Sequence, residues 1–208
     1  MSGFVVTGTG TGIGKTVFAA ALTRAIGACY WKPVQSGLDG PTDSETVAAL
    51  TGLPAERILP EAWRLTLPAS PHRSAQAEGV TIDPAVLEPP ACTGPLVIEG
   101  AGGVLVPLAR NALFADLFVR WGWPVILCVG TGLGSINHAL LSIEALRARQ
   151  IRIHGLAFIG DPHEDDEDII CEIGRVRRLG RLPRIDPLGP ETLAAAFADH
   201  FDAGDFAS

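Results

Sequence analysis

Apolar positions along this chain fall into short unbroken runs, separated by glycine-rich turns and by longer stretches with helical spacing. Residues 96–98 and 125–129 are uninterrupted apolar segments bounded by glycine and proline, and residues 3–7 form a short β-branched run that predicts a further strand. Runs that lack inward and outward alternation predict strands buried on both faces of a parallel sheet. Residues 29–34, reached by a short connection after Gly27, and residues 154–159 predict two further strands. Helical spacing predicts helices over 15–26, 43–50, 114–120, 135–149, 165–178 and 191–201. Strand and helix alternate throughout, so the pattern predicts an α/β fold, with a mainly parallel sheet flanked by helices on both faces and ligands at the carboxyl ends of its strands. Residues 51–95 are rich in proline and alanine and weakly patterned, which predicts loops and short helices covering a site. At 208 residues the chain is expected to form one domain over 1–208.

Composition narrows the function classes. Apolar residues make up 47% and charged residues 19%, a balance that excludes a disordered chain. The formal charge is −7, and Asp161, Glu164, Asp165, Asp166, Glu167 and Asp168 supply most of it. The rest of the chain is nearly neutral, so the broad positive face that a nucleic-acid backbone requires is not expected. Those acids precede Arg175, Arg177 and Arg178, and read as the two ends of one helix with charges suiting its dipole. Four cysteines without a C-x-x-C pair predict free thiols in a reducing, cytoplasmic setting and no zinc site. His72, His154, His163 and His200 have no partners at metal-ligand spacing, and His138 reads as structural. No stretch approaches the ~18 apolar residues of a membrane span, and no cationic leader precedes the first strand, so no membrane association is expected.

The sharpest signal follows the first strand: Gly8-Thr9-Gly10-Thr11-Gly12-Ile13-Gly14-Lys15-Thr16. Strand, glycine-rich turn and Gly-Lys-Thr opening a helix form a phosphate cradle of the P-loop NTPase type. Lys15 is then expected to reach the terminal phosphates and Thr16 to ligate Mg²⁺. The loop is one residue longer than the usual G-x-x-x-x-G-K-T spacing. A second cluster, Gly130-Thr131-Gly132-Leu133-Gly134-Ser135, reads as an ordinary strand-to-helix turn, although the helix opened by Gly134 to Asn137 has a positive end suited to a carboxylate.

Three charged residues stand near these turns. Glu99 closes an apolar strand before Gly100-Ala101-Gly102-Gly103, a position suited to Mg²⁺ beside a phosphate loop. Asp43 lies within Thr42-Asp43-Ser44-Glu45, where capping-box spacing leaves open whether it is a first-turn acid or a ligand. Lys32, in Tyr30-Trp31-Lys32-Pro33-Val34-Gln35-Ser36-Gly37, sits near the end of an interior strand. It either snorkels to solvent or places a second ammonium beside a triphosphate. A second cation is useful where another anion must meet the γ-phosphate, because two unit charges ~4 Å apart repel by about 4 kcal/mol at an effective dielectric near 20.

In this order, the phosphate loop, Lys32 to Gly37, Glu99 to Gly103, Leu133-Gly134-Ser135-Ile136-Asn137-His138 and Gly180-Arg181-Leu182-Pro183 resemble the dethiobiotin synthetases, from Val5 to about Leu193. The longer phosphate loop is shared with that family. The resemblance implies an enzyme that joins CO2 to 7,8-diaminononanoate with ATP and Mg²⁺, through a carbamate and its phosphoric anhydride. It implies that Lys32 and Lys15 are catalytic, that Thr11 and Ser36 contact substrate, and that Thr16, Asp43 and Glu99 ligate Mg²⁺. Nucleotide contacts are implied at Gly12, Ile13, Gly14, Lys15, Thr16 and Val17, at Gly100, Ala101 and Gly102, and at Gly160, Pro183, Arg184 and Ile185. A homodimer is implied too, with Gly134, Ser135 and Asn137 holding the substrate's carboxylate across the interface. The chain departs from the family pattern at Gly12, where many relatives carry glutamate. It departs again at Phe158-Ile159-Gly160-Asp161, which lacks an asparagine used to read adenine. A P-loop switch acting through partner binding is the competing reading, and it predicts ATP turnover indifferent to the diamine.

Overall fold

In the computed structural model, which describes residues 3–207, the elements alternate as the pattern predicts. The first half runs β1 (Gly3–Gly8), α1 (Lys15–Ala25), β2 (Cys29–Trp31), β3 (Val34–Ser36), α2 (Asp43–Thr51), β4 (Ile58–Leu59), β5 (Trp63–Leu65), α3 (Pro71–Ala77) and β6 (Leu96–Glu99). The second half runs β7 (Pro107–Ala109), β8 (Ala112–Leu113), α4 (Phe114–Trp121), β9 (Val125–Gly130), α5 (Ser135–Ala148), β10 (Ile153–Ile159), α6 (Glu164–Gly174), β11 (Arg178–Leu182) and α7 (Pro190–His200).

Seven strands form the central sheet in the order β11-β10-β9-β1-β6-β2-β4, and every pairing is parallel. The chain leaves β1 for the β2 side of the sheet, returns through β6, and then builds outward on the other side. The strand order therefore reverses around β1 and β6, and the crevice for a ligand lies beyond their carboxyl ends. Successive side chains of each strand enter different cores. Val5, Val125, Leu127 and Val129 pack with Phe114, Phe118 and Ile143 of α4 and α5. Phe4, Val6, Ile126 and Cys128 pack with Phe18, Val47 and Phe197 of α1, α2 and α7. Each large side chain removed from water in this way contributes about 1.5–3 kcal/mol, so the unbroken apolar runs hold the sheet from both faces.

Two expectations are corrected. Residues 29–34 do not form one strand: the chain breaks at Lys32-Pro33, and β3 pairs with β5 in a separate two-stranded sheet. Pro33 has no N–H for a ladder, and its carbonyl instead accepts from the amides of Ala62 and Trp63. The helix expected over 165–178 ends at Gly174. Arg175 turns into the left-handed region at φ 46°, and Arg178 opens β11. Arg175 is thus the cap residue of that helix, while Arg178 lies beyond it on β11 and, with Arg181, is ion-paired with the buried Glu167. Residues 51–95 contribute α3, β4 and β5, and the start of α3 borders the crevice.

Candidate active site

The phosphate loop joins β1 to α1, and its shape depends on Gly14. That residue caps α1 at φ 97°, and a Cβ there would stand 2.8 Å from Cγ2 of Ile159. Both the backbone angle and the close approach of β10 require glycine. The buried Lys15 ammonium donates to the Gly10 carbonyl at 2.6 Å and so turns back into the cup of the loop. Below the loop lies a cleft of about 640 Å³, a size ordinary for a small-molecule site.

On the cleft wall, Lys32 is 3% exposed and lies between two carboxylates. Its Nζ is 2.6 Å from Asp43 Oδ2 and 3.1 Å from Glu99 Oε1, and it also donates to the Gly100 carbonyl at 3.0 Å. The snorkelling reading of Lys32 is thereby removed. The proline break places it: β2 carries the chain into the sheet, and Pro33 ends the strand just where the side chain meets the tips of β6 and α2. Burial acts to lower the Lys32 pKa, but the Glu99 and Asp43 carboxylates outweigh it and hold the value above the usual lysine range. Burial acts to raise the Asp43 pKa, and Lys32 with the Thr16 hydroxyl overrides it, leaving the carboxyl below its usual range. Lys15 moves the other way, lowered first by burial and then by the Lys32 ammonium. The two lysines thus share one electrostatic environment.

Asp43 is at once a helix-start acid and part of this wall. Thr42 and Glu45 form the expected capping box on α2, and the Gln35 side-chain carbonyl accepts from the Asp43 amide at 3.1 Å. The Thr16 hydroxyl lies 3.0 Å from Asp43 Oδ1 and 2.9 Å from Glu99 Oε1. One hydroxyl proton serves only one of these acceptors at a time. An octahedral magnesium ion with bonds near 2.05 Å sets neighbouring ligand oxygens about 2.9 Å apart, so the donor set and its spacing fit that ion.

Thr11, Gly12, Gly14, Lys15, Thr16, Val17, Lys32, Ser36, Asp43, Glu99, Ala101 and Gly102 all line the cleft. Ser36 adds a buried hydroxyl oxygen with no partner among the described residues. Gly100 stands behind the wall and presents only its carbonyl to Lys32. Ile13 turns its side chain away from the cleft, toward Gly8 and Gly130. Gly160, Pro183, Arg184 and Ile185 lie outside the cleft, at the adjoining ends of β10 and β11, where the Gly160 amide donates to the Leu182 carbonyl at 3.0 Å and Arg184 pairs with Asp161 at 3.3 Å. Gly134, Ser135 and Asn137 also lie outside it. The helix they open borders a second groove through His138 and Leu141, and that groove shares Thr11 and Val106 with the cleft.

Sequence reasoning missed Gln35, Val106 and residues 68–71, which all line the cleft. The signal for the last of these is Ser70-Pro71, a cap residue followed by proline at the first position of α3. It also missed Tyr30, whose hydroxyl donates to Glu99 Oε2 at 2.8 Å.

A family model described as an AAA domain matches residues 2–192. Among curated proteins, the chain is 63% identical over 204 residues to an ATP-dependent dethiobiotin synthetase BioD of Rhodopseudomonas palustris strain BisB18, covering 98% of each. It is 63% identical over 203 residues to the protein of the same name from Agrobacterium fabrum strain C58, covering 98% of this chain and 96% of that protein. Among solved structures it resembles a ParA family ATPase from Chlorobium tepidum TLS, with a TM-score of 0.52 and 11% identity over 94% of this chain and 89% of that one. The last likeness is one of fold alone.

Proposed function

This chain belongs to the ATP-dependent dethiobiotin synthetase family and is an ATP-dependent ligase; on that premise we propose that it closes the ureido ring of dethiobiotin from 7,8-diaminononanoate, CO2 and ATP. One amine adds to CO2 with loss of a proton and forms a carbamate. A carbamate oxygen attacks the γ-phosphorus, ADP departs, and a carbamic-phosphoric anhydride results. The second amine attacks the carbonyl carbon, the C–O bond to phosphate breaks, and the ring closes with release of phosphate and a proton.

The observation that carries this reading is the approach of two buried ammonium groups to one cleft, beside a cluster of three oxygens. Lys15 and the loop amides hold the terminal phosphates, and Lys32 neutralises the carbamate that must approach them. Thr16, Asp43 and Glu99 would hold Mg²⁺, which when bound supplies charge neutralisation at the β- and γ-phosphates. Thr11 and Ser36 orient the diamine, and the unpartnered Ser36 oxygen supports that role. Gly12, Ile13 and Val17 contact phosphate or ribose through their backbone, as do Gly100, Ala101 and Gly102. Gly160 and Pro183, Arg184 and Ile185 border the base.

The enzyme acts as a homodimer in this reading, and the first turn of α5, with Gly134, Ser135 and Asn137, receives the carboxylate tail of substrate bound to its partner. Support comes from the apolar rim of the second groove, where Leu105 and Leu141 are exposed and Leu133 stands fully out just ahead of α5. Leu141→Glu is expected to convert the dimer to monomer in sedimentation and to raise the diamine KM, whereas an unchanged sedimentation coefficient would remove this surface from the interface. The whole proposal is tested by incubating the protein with labelled bicarbonate, Mg-ATP and the diamine. Label must enter a cyclic urea. Lys32→Ala is expected to lower that yield by about a thousandfold while nucleotide still binds. Full activity in that variant would take Lys32 out of the reaction.

A further inference from the structure

We propose that Tyr30 is the positioning residue that fixes the Glu99 carboxylate for magnesium, an inference that rests on the reading of Glu99 as a ligand. Tyr30 is the one tyrosine in the chain and is completely buried in β2. Its hydroxyl donates to Glu99 Oε2 at 2.8 Å, and among the described residues no other group donates to that oxygen. Oε1 faces the cleft, within reach of Thr16 at 2.9 Å and Lys32 at 3.1 Å. The terminal torsion of a glutamate is broad, so nothing in the residue itself decides how its two oxygens are turned. A neutral donor behind the carboxylate decides it.

The phenol suits that task better than the alternatives. A phenol is a neutral side chain that carries one O–H to donate. A cation in its place would compete with the metal for the same negative charge. Packing alone does not call for the hydroxyl, because the ring lies among Phe18, Leu22 and Val97 and a phenylalanine would fill the same volume. Groups that orient a metal ligand from behind typically change metal affinity by about 10- to 100-fold when removed.

The test measures Mn²⁺ binding to the protein with ATP by electron paramagnetic resonance, in the native protein, Glu99→Gln and Tyr30→Phe. Glu99→Gln is expected to lose tight metal binding, and Tyr30→Phe to weaken it about tenfold while binding metal-free ATP as before. Native metal affinity in Glu99→Gln would overturn both the ligand reading and this inference. Weak binding in Glu99→Gln beside native affinity in Tyr30→Phe would overturn the role of Tyr30 alone. Should Tyr30→Phe fail to fold, full replacement of tyrosine by 3-fluorotyrosine labels this one position in the otherwise native chain. Its single fluorine resonance is expected to shift when metal joins bound ATP, and to stay in place in Glu99→Gln. A resonance indifferent to metal in the native background would overturn the proposal.

Discussion

Glu99 and Glu167 are equally buried, each 1% exposed, yet their surroundings differ in kind. Glu167 lies on α6 under β11, with Arg178 on one oxygen, Arg181 at 3.0 Å on the other, and the His163 amide at 3.2 Å. Two cations meet one anion, and the result is a clamp between helix and strand. Glu99 has a phenol behind it, and on its cleft side one oxygen is shared by a hydroxyl and an ammonium that also serves Asp43. There oxygens crowd round a single hydroxyl proton, and the cluster opens on a cavity. Burial of a charge therefore does not separate chemistry from architecture. What separates them is whether the partners use up its capacity or leave oxygens converging on a space.

This comparison is broken most directly by neutralising each acid in turn. Glu99→Gln is expected to lower ring-forming activity by at least about a hundredfold, with little loss of stability because Lys32 keeps Asp43 as its partner. Glu167→Gln is expected to leave two arginines facing a neutral amide and to cost about 3 kcal/mol. That is the low end for a broken buried pair, since the Arg178 side chain is one third exposed and can relax into water. Its activity, assayed well below the melting transition, is expected to stay near native. Thermal melts and turnover of the two variants decide the matter, and equal losses of both properties in both variants would dissolve the distinction.

The same pair shows what a sequence discloses. The strands β1, β6 and β9 are legible because both of their faces are apolar, and the phosphate loop because its glycines and Lys15-Thr16 are contiguous. Glu99 is legible as an acid at the tip of such a strand. Asp43 stays ambiguous because the capping box that explains it is real, and position alone does not show that the same helix start faces Lys32. The partnership of Glu167 with Arg178 is hidden because run-on charge suits a long helix. Only a left-handed Arg175, a conformation uncommon outside glycine and asparagine, ends that helix and turns the arginines back on it. Tyr30 is hidden for a different reason: within an apolar strand its ring satisfies the pattern, and nothing local announces the use of its hydroxyl. Ser70-Pro71 was readable as a helix start, but its place beside the cleft follows from the pairing of β3 with β5, a contact between distant residues.

His154 offers a third and weaker kind of buried polar group, and the smallest expected effect. Its Nε2–H donates to the Asp205 carbonyl at 2.8 Å, and its ring packs 4.7 Å from Phe4 and 5.9 Å from Phe206, so it holds the C-terminal segment against β1. Partial burial lowers its pKa below the usual histidine value, the Asp205 carbonyl opposes this, and Arg177 reinforces it. The folded chain therefore binds this proton less tightly than the unfolded one. Stability from the neutral ring is complete above the unfolded pKa of about 6.5 and is lost as pH falls through the lower folded value. In His154→Gln that contribution no longer titrates. The melting temperature of the native protein is expected to fall more steeply than that of the variant between about pH 7 and pH 5, by only about 1 °C because the half-buried ring is screened by solvent. Parallel curves would show that the ring's protonation does not matter to the tail, whose docking would then rest on the Arg177–Asp205 ion pair and on the packing of Phe206 against Phe4, Phe197 and Phe201.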